Sequence, residues 1–93
     1  MGKYFVELDS TARKELQAHY KSGNKTSIIK IEKILLELTE TPYFGVGQPE
    51  ELKYEYAGYW SRKINLKDRL IYRVDENIVI VYIISAMGHY SDK

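Results

Sequence analysis

The chain has no cysteine, which excludes a disulfide framework and any thiolate-ligated metal site. Histidine is almost as scarce. His19 and His89 are the only two, too few to hold zinc without thiolates, so neither metal nor cofactor is expected. The only prolines, Pro42 and Pro49, share one short segment, so the sequence offers a single loop and no linker. The "GVG" at 45–47 follows a helical stretch and precedes a strand-like one, the reverse of a dinucleotide fingerprint. No serine stands in a G-x-S-x-G elbow. No apolar run approaches the ~18 residues of a membrane span. The opening "MGKYFVELDS" has no signal-peptide apolar region, and Val6 spoils a myristoylation pattern. A cytoplasmic protein without a membrane partner is the expectation. Net charge is also small, +1. If such a chain meets nucleic acid, its cations must gather on one face, or another body must help to hold the substrate.

What is present suggests one α+β domain spanning residues 1–93. Apolar residues make up 44% and charged residues 29%, the balance of an ordinary globule. "KYFVEL" alternates like a first strand. Asp9 or Ser10 can cap a helix over "TARKELQAHYK", with Ala12, Leu16 and Tyr20 as its apolar stripe. "SGN" at 22–24 breaks it. Thr26 or Ser27 can cap a second helix, "SIIKIEKILLELTE", whose stripe is Ile28, Ile31, Leu35 and Leu38. Pro42 prevents its continuation. After the loop "TPYFGVGQPEE" come strand-like segments in "LKYEY", "YWSRKIN", "RLIYRVD" and "IVIVYIISA", the last two joined by a tight "DEN" turn. Helices early and strands late imply a small, mainly antiparallel sheet with two N-terminal helices on one face, in the order β-α-α-β-β-β with room for one further short strand. Nine tyrosines, most of them after Tyr43, can cover a small core or serve a binding surface.

The polar residues of the second half are candidates for chemistry. Glu50 and Glu51 end the loop. Lys53, Arg62, Lys63 and Arg69 lie on or beside three successive strands, and His89 and Tyr90 follow the last one. Metal-free RNA cleavage needs a base for the 2′-hydroxyl, an acid for the departing 5′-oxygen and fixed positive charge on the phosphate. A glutamate, a histidine and an arginine can meet those needs. Each also has an ordinary reading. Glu50 could be a solvated carboxylate, Arg69 a surface ion pair with Asp68, and Arg62 and Lys63 the solvent face of a strand. His19 reads as structural.

The stretch "TPYFGVGQPEELKYEYAGYWSRKINLKDRLIYRV" followed by "SAMGHY" resembles the YoeB (Txe) type of RelE/ParE-superfamily toxins. The matching features are TP-x-x-G-x-G-x-PE-x-LK, a G-aromatic-WSR strand, an RL-[IV]-Y strand and a C-terminal HY. The resemblance follows most of the chain in element order and residues 41–90 closely. It implies a toxin that cuts messenger RNA in the ribosomal A site and is silenced by a YefM-like antitoxin, with a homodimer also compatible. It implies Glu50 as general base, because Glu50 directly follows Pro49. It further implies Arg69 on the scissile phosphate, His89 as general acid and Tyr90 as an orienting residue. Lys53, Arg62 and Lys63 fall at basic positions expected to hold RNA or ribosome. The three residues after Tyr90 depart from the pattern. The superfamily also contains gyrase-binding toxins, so a non-catalytic binding module of the ParE kind is the alternative.

Overall fold

A computed structural model describes residues 3–88. The chain runs β1 (Phe5–Leu8), α1 (Ser10–Ser22), α2 (Lys25–Leu38), β2 (Glu50–Glu51), a 3₁₀ turn (Tyr54–Tyr56), β3 (Trp60–Lys63), β4 (Arg69–Asp75) and β5 (Ile80–Ser85). The five strands form one sheet in the order β1-β5-β4-β3-β2, antiparallel except where β1 lies parallel to β5. The expected α+β class with two helices on one face is therefore what forms. One segment differs. "LKYEY" is a 3₁₀ turn with Tyr54 at φ 58°, and the short extra strand lies just before it, at Glu50–Glu51.

The helices start and stop where small polar groups take up backbone donors. Asp9 accepts a hydrogen bond from Ala12 N (2.8 Å) and caps α1. Gly23, in the left-handed region at φ 74°, ends it. Asn24 caps α2 through Ser27 N (3.1 Å), two residues ahead of the Thr26 expected from sequence.

Ala12 and Leu16 of α1 and Ile31, Ile34 and Leu38 of α2 pack on Leu70 and Tyr72 of β4 and Val81 and Ile83 of β5. Even-numbered positions of β4 thus face the helices, and Arg69, Ile71 and Arg73 face away. Two details of the apolar stripes shift by one position: α1 buries His19 instead of Tyr20, and α2 buries Ile34 with Leu35 only half-buried.

Candidate active site

Glu50 opens onto the helix-free face because β2 pairs antiparallel with β3, which sets it opposite Ser61. Ser61 in turn lies opposite Ile71, and Lys63 opposite Arg69, at the start of the central strand. From there the Arg69 guanidinium reaches back along the face. Its Nη1 lies 3.1 Å from Ser61 Oγ and 3.4 Å from Glu50 Oε1. The pair is asymmetric in solvent. The Glu50 side chain is 60% exposed and that of Arg69 15%, so the carboxylate stays available while the cation is held by its surroundings. Lys53 and Lys63 are exposed on the same part of the chain.

The loop that delivers Glu50 is organised around Arg62, whose side chain is fully buried (0% exposed). All five guanidinium N–H groups find acceptors. Nη1 donates to Glu37 Oε1 (2.7 Å) and to Val46 O (3.4 Å). Nη2 donates to Thr41 O (2.7 Å) and Phe44 O (3.1 Å), and Nε to Tyr72 Oη (3.2 Å). The Tyr72 hydroxyl in turn donates to Pro42 O (2.6 Å). Burial pushes the Tyr72 phenol pKa up, opposed in part by Arg62, and the hydroxyl remains a donor at neutral pH. The expected role of Arg62 on the solvent face, holding RNA or ribosome, is therefore corrected. It is an internal staple for the Gly/Pro loop and presents no charge to a ligand. The glycines of that loop fit the same hub. Gly45 (φ 140°) abuts Glu37 and Arg62, and a Cβ on Gly47 (φ 85°) would sit 2.9 Å from Lys63 O.

A second fixture holds the end of β5. Glu15 Oε1 accepts from Ala86 N (2.7 Å) and Met87 N (3.1 Å), and buried His19 donates from Nε2 to Ala86 O (2.7 Å). Asp68 Oδ1 accepts from Gly88 N (3.0 Å), and Arg69 N donates to Gly88 O (3.0 Å). The backbone is thus pinned up to Gly88, beside Arg69 and one residue short of His89. His89 and Tyr90 lie outside the described residues. His19 has the structural role that its sequence context suggests. Asp68 binds Gly88 N and Asn65 Nδ2 (3.2 Å), not Arg69. Glu15 and Ser61 were not singled out from sequence, and Asp68 was read only as an ion-pair partner for Arg69. Only Ser61 carried a signal, as the middle of "WSR".

Residues 10–90 match the family model described as the YoeB-like toxin of bacterial type II toxin–antitoxin systems. The chain belongs to this family. A curated YoeB toxin from Streptomyces coelicolor is 36% identical over 73 residues, covering 77% of this chain and 83% of the relative. Among solved structures, a YoeB/ParE toxin from Agrobacterium tumefaciens superposes with a TM-score of 0.82 at 28% identity, covering 92% of this chain and 99% of that one. The toxin in a heterotetrameric YoeB–YefM toxin–antitoxin complex from Staphylococcus aureus superposes with a TM-score of 0.76 at 31% identity, covering 94% and 98% of the two chains. The YoeB family assignment thus rests on sequence and fold together. Among the described residues no helix is long and apolar enough to cross a membrane.

Proposed function

We propose that this YoeB-family chain is a ribosome-dependent endoribonuclease that cuts messenger RNA without a metal, and that a YefM-like antitoxin silences it. The observation that carries the reading is the Glu50–Arg69 pair, 3.4 Å apart on the open sheet face, with the chain toward His89 anchored to Arg69 through Gly88. In the proposed reaction Glu50 takes the proton of a 2′-hydroxyl. The 2′-oxygen then bonds to phosphorus while the bond from phosphorus to the 5′-oxygen breaks. His89 gives that oxygen its proton, and a 2′,3′-cyclic phosphate and a free 5′-hydroxyl result. Arg69 exchanges part of its contact with Glu50 for the phosphate oxygens, where charge develops. Tyr90 orients the substrate, and Lys53 and Lys63 hold RNA or ribosome at the rim. The acid and the base are both side chains, so no step calls on a metal. A net charge of +1 suits a protein to which the ribosome presents the message.

The test is single-turnover cleavage of a message on assembled ribosomes, compared with the same RNA free. Cleavage should need the ribosome, a 2′-deoxy nucleotide at the scissile position should block it, and chelation that leaves ribosomes intact should not. His89→Gln should lower the rate about 10²–10⁴-fold with fold and ribosome binding retained. Parent-rate cleavage by His89→Gln, or of the deoxy message, overturns the mechanism.

A further inference from the structure

The open face carries a second feature, beside the Glu50–Arg69 pair and separate from it. A cavity of about 430 Å³ is lined by Glu7, Asp9, Tyr59, Arg73, Tyr82 and Ile84, among others. Strand register explains the gathering. Glu7 pairs with Tyr82, and Tyr82 pairs with Arg73, so three adjacent strands present these side chains in one row. Tyr59, immediately before β3, closes the row on the other side. The Arg73 guanidinium sits over the Tyr82 ring, 4.4 Å from its centroid. Among the described residues Arg73 has no carboxylate at ion-pair distance, and the Glu7 side chain makes no hydrogen bond or ion pair. Asp9 is committed to capping α1.

The row's distance from the candidate active site follows from β4. Arg73 is two residues beyond Ile71, the residue opposite Ser61, and two strand residues span about 7 Å. That is about the reach of one extended nucleotide. A guanidinium plane backed by a phenol ring is a stacking platform for an unpaired base. The two wall carboxylates disfavour a phosphate in the cavity, but a free carboxylate accepts hydrogen bonds from the N–H edge of a base.

We propose that this cavity is a nucleobase subsite. A base of the message flanking the scissile phosphate stacks on the Arg73–Tyr82 pair and directs an amino-bearing edge, best met by guanine, to Glu7. The inference rests on the nuclease reading above and adds a determinant of where the message is cut.

The test uses the intact protein and ribosomes programmed with messages that differ only at the nucleotides flanking the cut, guanosine or uridine at each in turn. The parent should favour guanosine at one of them. Tyr82→Ala and Arg73→Lys should lower kcat/KM about 5- to 100-fold, the effect of losing one stacked base. Arg73→Lys keeps the charge and loses the plane, whereas Tyr82→Phe, which keeps the ring, should lose much less than Tyr82→Ala. Glu7→Gln should bring the guanosine-to-uridine ratio close to one by slowing the guanosine message alone. Thermal melting confirms the fold of each variant. If the parent cuts and His89→Gln does not, yet the row variants match the parent on every message, the subsite is refuted and the nuclease reading stands. If the row variants keep their rates but bind antitoxin more weakly, the row is a protein contact and the subsite is likewise refuted. A parent that cuts no message on ribosomes refutes the nuclease reading first, and the subsite with it.

Discussion

Two segments of this chain each lead to a residue proposed for catalysis, and they are held in opposite ways. The Gly/Pro loop ahead of Glu50 is gripped from inside by one buried cation, Arg62, whose bonds fan out to Glu37, Thr41, Phe44, Val46 and Tyr72. The end of β5 ahead of His89 is gripped from outside by Glu15, His19 and Asp68, which come from α1 and from the turn before β4. The difference follows from what each segment is. A loop of residues 41–49 has many carbonyls and no ladder to satisfy them, so a five-donor fork at its centre is efficient. A strand end has only a few orphan groups, and single side chains suffice. One hub concentrates the risk of failure, and several separate clamps distribute it.

The sharpest way to break that contrast is Arg62→Ala. It leaves half-buried Glu37 and several loop carbonyls without the Arg62 donor, and removal of one partner of a fully buried pair costs about 3–5 kcal/mol, so a loss toward the lower end of that range is expected. Denaturant unfolding should show that loss, with cleavage abolished because Glu50 loses its support. A variant of near-parent stability would mean that the loop does not depend on the hub. Gly47→Ala should cost less, about 1–3 kcal/mol. Its Cβ would meet Lys63 O at 2.9 Å on a backbone that favours glycine, and the main-chain oxygen cannot step aside.

At the other segment, Glu15→Ala removes the acceptor for two backbone N–H groups and should cost about 1–2 kcal/mol. Its larger effect should be on rate. Displacement by about 1 Å of the chain leading to His89 is worth up to about 100-fold in kcat. KM should stay near the parent value, and Glu15→Gln, which keeps an acceptor oxygen, should restore much of the rate. An equal fall in stability and rate for both variants would make Glu15 a packing residue only.

The smallest expected effect lies at a third contact, which ties the loop to the β4–β5 turn. Tyr4 Oη lies 2.8 Å from Glu76 Oε1, and Tyr43 donates to the same carboxylate. The hydrogen bonds from Tyr43 and then Tyr4 hold the Glu76 pKa below its usual range. A depressed carboxylate pKa stabilises the fold above the unfolded value of about 4.3, and the contribution disappears as pH falls through the folded value. Burial first, and Glu76 second, push the phenols of Tyr4 and Tyr43 up, so their contribution is present below about pH 10 and is lost as pH rises through the folded values. Glu76→Gln should flatten the acid limb of a plot of melting temperature against pH. An unchanged acid limb would remove the contact from the account.

Much of this was legible in one dimension. Periodicity and order specified two helices, then strands, and hence the α+β sheet. The PE after the loop, the RLIY strand and the HY ending carried the candidate chemistry, because residue type and order survive without coordinates. Asp9 as a cap was also readable, since a cap acts within four residues of itself. What the sequence could not separate is Arg62 from Arg69, two arginines on neighbouring strands. The pleat alternates faces every residue, and the strand's register decides which arginine meets the loop's carbonyls inside and which meets Glu50 outside. The same holds for His19 and Tyr20, adjacent on α1, of which only His19 points at Ala86. Local signals determined the elements and the inventory of reactive groups. Only tertiary packing decided which of those groups are structural, because burial and partners separated by 10 to 72 residues in sequence are set when the sheet closes on its helices.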